Sequence, residues 1–368
     1  VITYCSNIHP GESFQDTFSN LRAYLPAIKE TVSPTKPFPI GLRLSNQAAM
    51  EAGDKAVAQF REWCDENGFF VPTINGFPYG PFSAVPVKEN AYLPDWRYSE
   101  RVAYTKQLAT LLDSWLPPGI TGNISTVPGG FRKHIKGGDY PLIRQNIILV
   151  LEWLDRLKQK SGKEILLTLE PEPRCTMETT QDTVAFFERM AFPEDLRKSL
   201  GVCYDCCHQA VEFEDPRESL SLLAKAQIKI GKVQVSSALR LKNFDRAVFE
   251  KFCEPSYLHQ VVIRGRDGSL TRFSDLPEAL GHHRRCEGEE WRIHFHVPVF
   301  LEKIGSFETT RFFLEEILPL VEPTVLLEVE TYSWHVLPPE LQMDSVTHSI
   351  IRELQWVRSQ IHETDGSS

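Results

Sequence analysis

The 368-residue sequence has no apolar run approaching the ~20 residues of a membrane-spanning helix. Direct insertion into a bilayer is therefore not expected. It has no basic excess either. Lys and Arg number 40 against 49 Asp and Glu, a net charge of −9. Duplex phosphates want a basic face, so no nucleic-acid partner is expected. Eight cysteines are spread unevenly through a long chain, which does not read as the disulfide framework of a small secreted domain. The opening "VITYCSNIHP" lacks the charged n-region of a signal peptide. Both features point to a reducing cytoplasm. No internal repeat and no low-complexity segment is found.

What is present is an ordinary globular balance, 42% hydrophobic and 24% charged. Strand-like runs alternate with helical patterns. "ITYCSNIH" (2–9) precedes Phe18, Leu21, Leu25, Ile28 and Val32, which share one helix face. Pro26 is expected to bend that helix. "FPIGLRL" (38–44) precedes a helix over 46–67. "FFVPTING" (69–76) runs into a long irregular loop, a feature that is more often functional than idle. "GITGNISTV" (119–127), "EILLTLE" (164–170), "GVCYD" (201–205), "KIGKVQVSS" (229–237) and "TVLLEVE" (324–330) complete eight strand candidates, with helix patterns between them. Such alternation means parallel βαβ units, and eight of them predict one (β/α)8 TIM barrel over 1–368. The least regular stretch is 238–323. An insertion between strands seven and eight is expected over 238–307, with a hairpin turning at Asp267-Gly268. "GHHRRCEGEE" (281–290) reads as a solvated charged loop. The tail 363–368, "ETDGSS", reads as disordered.

Barrels of this type carry their active sites at the C-terminal strand ends. Asn7 and His9 end the first strand, Arg43 lies near the end of the second, and Asn75 ends the third. Glu170 ends the fifth, and Asp205, with His208 three residues on, ends the sixth. Gln234 lies on the seventh strand, and Glu328 and Glu330 lie on the eighth. His294 and His296 sit two apart in the insertion and so face the same way, as do Glu328 and Glu330. A carboxylate in a barrel mouth is costly without a partner, and one divalent cation (Mn, Zn or Mg) shared by several acids removes that cost. Cys203 and Cys206 form a C-x-x-C that starts inside a strand, not at the helix start that activates such thiols. They read as small buried side chains.

The order Glu170, "YDCCH", a polar residue on strand seven and Glu330 resembles the xylose-isomerase-like superfamily of sugar isomerases, sugar 3-epimerases and endonuclease IV. That resemblance implies a divalent metal on Glu170, Asp205 and Glu330. Gln234 stands where a His is usual, and His296 is an alternative nitrogen donor. A longer resemblance runs through "TYCSNIHPGESF", "NGFPYGPF", "CYDCCHQAVEFEDP", "HFHVPVF" and "LLEVETYSWHVLP". These segments look like the EboE family of metabolite traffic proteins, encoded in bacterial ebo clusters beside a membrane prenyltransferase.

Two functions follow as expectations. The first is a metal-dependent isomerase or epimerase acting on a small sugar-like or hydroxy-carbonyl metabolite. In it Glu170, Glu330 and His208 are the catalytic candidates. Asn7, His9, Arg43, Asn75, Tyr79, Arg174, His294, Glu328 and Trp334 are the candidate substrate contacts. The second is a non-catalytic carrier that hands a precursor to a membrane partner. Phosphoester cleavage of the endonuclease IV type is a lesser alternative, disfavoured by the acidic charge and by Gln234.

Overall fold

The computed structural model describes residues 1–82, 86–242, 244–282, 288–342 and 345–362. The 363–368 tail and positions 283–287 of the charged loop lie outside them.

Seven strands come first: β1 (Ile2–Tyr4), β2 (Phe38–Arg43), β3 (Phe69–Asn75), β4 (Gly122–Thr126), β5 (Ile165–Leu169), β6 (Leu200–Asp205) and β7 (Lys229–Val235). Six short strands follow: β8 (Ser237–Leu241), β9 (Val261–Arg264), β10 (Leu270–Phe273), β11 (Glu290–Val297), β12 (Lys303–Ile304) and β13 (Phe307–Thr309). Then comes β14 (Leu326–Val329). The eight-stranded sheet runs β1-β14-β7-β6-β5-β4-β3-β2 with parallel neighbours throughout. Every residue of β2 and β6 is buried, as expected of parallel strands covered on both faces.

The seam between β1 and β2 is closed by little backbone pairing. One parallel bridge joins Cys5 to Gly41. Beside it the Thr3 hydroxyl accepts from the Gly41 N–H (3.0 Å) and donates to the Pro39 carbonyl (2.7 Å). A Cβ on Gly41 would lie 2.1 Å from Glu328 Oε1 and 2.4 Å from the Tyr4 carbonyl, so the close approach requires glycine.

One helix pattern departs from the sequence reading. The 46–67 pattern is two helices, Asn46–Glu51 and Asp54–Asn67. Gly53 serves as a fresh N-cap, and Asp54 places a carboxylate in the new first turn, where the helix dipole favours it. Strand β7 ends at Val235. The chain then enters β8 directly, and the helix returning to the barrel, Arg311–Ile317, comes only after β13. The first helix runs Phe14–Val32 through Pro26, started by a capping box between Ser13 and Asp16.

The second sheet runs β10-β9-β11-β8-β13-β12 and is antiparallel. Gly268, at φ +82°, makes the β9–β10 turn. Phe249, Phe252, Trp291, Phe295 and Phe307 form an aromatic core there. β11 also packs on the helix Cys206–Val211 that follows β6. This contact brings the second sheet to the C-terminal end of the barrel, where the polar residues gather.

The closing helix Val346–His362 carries a buried acid. Glu353 Oε1 accepts from Thr331 Oγ1 (2.6 Å) and the Val299 N–H (3.1 Å), while Oε2 has no hydrogen-bond partner among the described residues. Burial pushes its pKa from 4.5 up to about 7. The folded state therefore keeps a proton that the unfolded chain releases, and stability falls as pH rises through that interval. Glu353→Gln is expected to reduce the slope and to raise the unfolding free energy at pH 8 by about 1–3 kcal/mol. Urea titrations at pH 5 and pH 8 measure this, and identical pH profiles for the two proteins would contradict it.

Candidate active site and metal centre

A cavity of about 530 Å³, open mouth included, lies over the C-terminal strand ends. Its polar wall is Asn7, Asn75, Lys88, Glu170, Glu172, His208, His294 and Glu330. Its apolar wall is Phe77, Pro78, Phe82, Val87, Ala91, Tyr92, Tyr257, Leu258 and Tyr332.

Two of its acids, Glu170 and Glu330, cluster with the buried Asp205. Glu170, Asp205 and Glu330 each bring a carboxylate oxygen within 4.8 Å of the others, and all three are buried. Backbone pairing places them. The Glu170 N–H continues the β5 ladder to the Thr126 carbonyl, and the Glu330 N–H bonds the Val235 carbonyl. Asp205 ends β6 and caps the next helix: its Oδ1 accepts from the His208 N–H (3.0 Å) and Ser236 Oγ (2.7 Å). Glu330 Oε1 is held by the amides of Asn7 (2.8 Å) and Asn75 (2.9 Å).

Charge is poorly accommodated there. Burial pushes Glu170 up to about 8 and Glu330 well above its ordinary value. Asp205 goes the other way. Burial would raise it, but His208, His296 and its two hydrogen bonds hold it below the carboxylate range. Glu170 Oε2, Asp205 Oδ2 and both side-chain atoms of Gln234 have no hydrogen-bond partner among the described residues. Gln234 lies in register with Asp205 on one side and Glu328 on the other, fully buried beneath the cavity. Unpartnered oxygens of this kind on clustered buried acids fit a divalent cation, which satisfies them together.

Three histidines stand beside the acids. His208 Nε2 is 3.2 Å from His294 Nε2, which is 3.1 Å from His296 Nε2. His296 also offers a ring nitrogen within 4.8 Å of ligand atoms of Asp205 and His208, so both Gln234 and His296 stand near the acids.

The structure brings Asn7, Asn75, Glu170, Asp205, His208, Gln234, His294, His296 and Glu330 together. Six other expectations are corrected. Glu328 points into the barrel but does not reach the cavity, because its Oε2 is paired with Lys232 Nζ at 2.6 Å. His9 turns away to stack on Tyr24 and bond the Tyr4 hydroxyl. Arg43 braces two loops through Glu12 and the Gly11 and Gly80 carbonyls. Tyr79 packs edge-on against Tyr104. Arg174 sits at φ +69°, with its guanidinium on Ser274. Trp334 lines a separate groove with Pro298 and Phe300. Its near neighbour Tyr332 supplies the cavity's aromatic wall instead.

Other functional groups were not singled out from the sequence. Glu172 accepts from the Tyr92 hydroxyl (2.6 Å) and the Gln260 amide (3.1 Å). It follows Glu170 by two residues in "EPEP", and that period-two spacing was its only signal. Lys232 is fully buried and reaches Ser125 (3.0 Å) and Thr73 (3.3 Å) as well as Glu328. The thiols of Cys203, Cys206 and Cys207 are pushed well up by burial, which leaves them unreactive.

No family model matches the sequence, and neither does any curated protein. Solved structures do match the fold. The probable 3-DHS dehydratase AsbF of Bacillus anthracis is 13% identical, with a TM-score of 0.52 over 97% of this chain and 98% of that one. An L-ribulose 3-epimerase is 10% identical, with a TM-score of 0.51 over 100% and 98%. The IOLI protein, solved with a bound zinc atom, is 13% identical, with a TM-score of 0.50 over 100% and 99%. At such identities the likeness concerns the fold, which is that of a xylose isomerase-like TIM barrel.

Proposed function

We propose that the protein is a metal-dependent isomerase or epimerase acting on a small sugar-like or hydroxy-carbonyl metabolite. One observation carries the reading. Glu170 and Glu330 face the same cavity, with carboxylate oxygens within 4.8 Å, and burial raises both, Glu170 to about 8 and Glu330 well above its ordinary value. A divalent cation on Glu170, Asp205, Gln234 and Glu330 would supply Lewis-acid stabilisation of a developing enediolate. The rest is this chain's own work. One of the two glutamates removes the proton beside the carbonyl, and the other returns one to the carbon. Asn7 and Asn75 fix Glu330 Oε1 and so aim its other oxygen. Tyr92 and Glu172, both bonded to the buried Gln260 amide, form a ledge for substrate hydroxyls. The apolar wall limits water.

The test is proton exchange. With manganese or zinc present, a panel of ketoses and α-hydroxy ketones in D2O should show deuterium entering next to the carbonyl of at least one compound. No exchange across the panel, with metal bound, would contradict the reading.

The wall of Phe77, Phe82, Tyr257 and Tyr332 supports a second reading, in which the cavity holds a ring-bearing precursor for delivery to a membrane prenyltransferase-type partner of the ebo cluster. That carrier would bind its metabolite stoichiometrically without converting it. Turnover at an enzymatic rate would exclude it.

A further inference from the structure

The three histidines pose a problem of protons. His208 Nδ1 lies 2.8 Å from the Pro171 carbonyl oxygen, and His296 Nδ1 lies 2.8 Å from that of Glu330. Carbonyl oxygens only accept, so both Nδ1 atoms carry hydrogen. His294 Nδ1 lies 2.7 Å from Gln260 Oε1. The orientation of that amide is fixed at its other end, where Nε2 donates to the Pro173 carbonyl at 3.2 Å and to Glu172 at 3.1 Å. His294 Nδ1 therefore carries hydrogen too.

Each neutral ring then presents an Nε2 lone pair, and the three nitrogens stand 3.2 and 3.1 Å apart, with the Tyr332 hydroxyl at a long 3.4 Å from His294 Nε2. A proton placed in one contact leaves the other unsatisfied. Protons in both would set two imidazolium charges together in a buried site. A cation satisfies all three nitrogens at once. The arrangement also matches how metal-bound imidazoles are held, with the far N–H on a carbonyl or amide oxygen. A fourth donor is at hand. Asp205 Oδ2 has no hydrogen-bond partner among the described residues and lies 3.8 Å from His208 Nε2. His208 and His294 line the cavity, so the centre opens toward it.

We propose that His208, His294 and His296, with Asp205, hold a first-row transition-metal ion of the zinc, iron or cobalt type, separate from the cation on Glu170, Gln234 and Glu330. Imidazole donors select such ions over magnesium or calcium. Asp205 is the one residue common to both sets. Two of the ligands come from β11 of the second sheet and one from the helix after β6, so the ion also pins that sheet to the barrel.

The experiment uses untagged full-length protein, stripped with a chelator and reloaded with cobalt(II) or zinc. Metal is measured by mass spectrometry, and cobalt also by its visible absorption. Wild type is expected to bind an equivalent that Glu170→Gln/Gln234→Leu retains and His294→Ala/His296→Ala loses, together with the visible band. Equal metal content and equal spectra in wild type and the double histidine variant would overturn the proposal. A folding defect in that variant does not shield it, because zinc-edge X-ray absorption on wild type is a second readout. Imidazole scattering is expected, and a shell of oxygens alone would overturn the proposal. The result is independent of the proposed chemistry. A histidine-bound ion in a protein without substrate proton exchange would leave this centre standing and remove the isomerase reading. Exchange in a protein whose double histidine variant keeps all its metal would do the reverse.

Discussion

Glu170→Gln is expected to abolish deuterium exchange into substrate, with a fall of about 10²–10⁴-fold, typical of losing a general acid–base group. The fold should survive. The glutamine keeps the shape, and burial already disfavours the charged glutamate, whose pKa is pushed up to about 8. Thermal melting within a few degrees of wild type beside lost exchange is the expected pair of results. Exchange within twofold of wild type would remove Glu170 from the chemistry. Glu330→Gln should behave alike, since the glutamine Oε1 still accepts from the amides of Asn7 and Asn75.

The largest stability effect is expected inside the barrel. Lys232 and Glu328 form a fully buried pair at 2.6 Å, with Ser125 and Thr73 completing the lysine's bonds. Burial opposes the lysine's charge, but Glu328 prevails and holds its pKa above the ordinary value. Lys232→Met leaves Glu328 buried and unpaired, and should cost about 3–5 kcal/mol. Lys232→Met/Glu328→Leu should recover most of that loss, since replacing both members of a buried pair by apolar groups is often nearly neutral. Denaturant titration of both variants reads this out. A double variant as unstable as the single would show that the pair is not the source. The lysine also matters above its own layer, because its charge lowers the pKa values of both Glu170 and Glu330.

Sequence and structure meet most closely where strand geometry alone decides. Glu170, Asp205 and Glu330 end strands whose apolar runs mark them, and the alternation of a strand fixes which way they face. Asn75, the last residue of β3, follows for the same reason, whereas Asn7 lies in a 3-10 turn, Ser6–Ile8, beyond the end of β1 and not at a strand end. His9, Arg43, Tyr79, Arg174 and Trp334 lie on loops or at loop edges, where the direction of a side chain depends on distant partners. Arg43, for instance, is claimed by Glu12 and two loop carbonyls. Lys232 is hidden by its context, since "KIGKVQV" reads as an ordinary strand with a lysine and only the closed barrel shows that the lysine points inward. The shared face of His294 and His296 is legible from their spacing. Their meeting with His208, 86 residues from His294, depends on how the second sheet docks on the helix after β6, which no local pattern encodes.

The account rests on these acids and imidazoles holding metal. Untagged wild type and Asp205→Ala should be compared by mass spectrometry after exposure to manganese and zinc. Asp205 belongs to both donor sets, so its loss should lower the content of every bound ion. At least one ion per wild-type chain, lost or weakened in Asp205→Ala, is the result the account predicts. A wild-type protein that binds neither metal would contradict it.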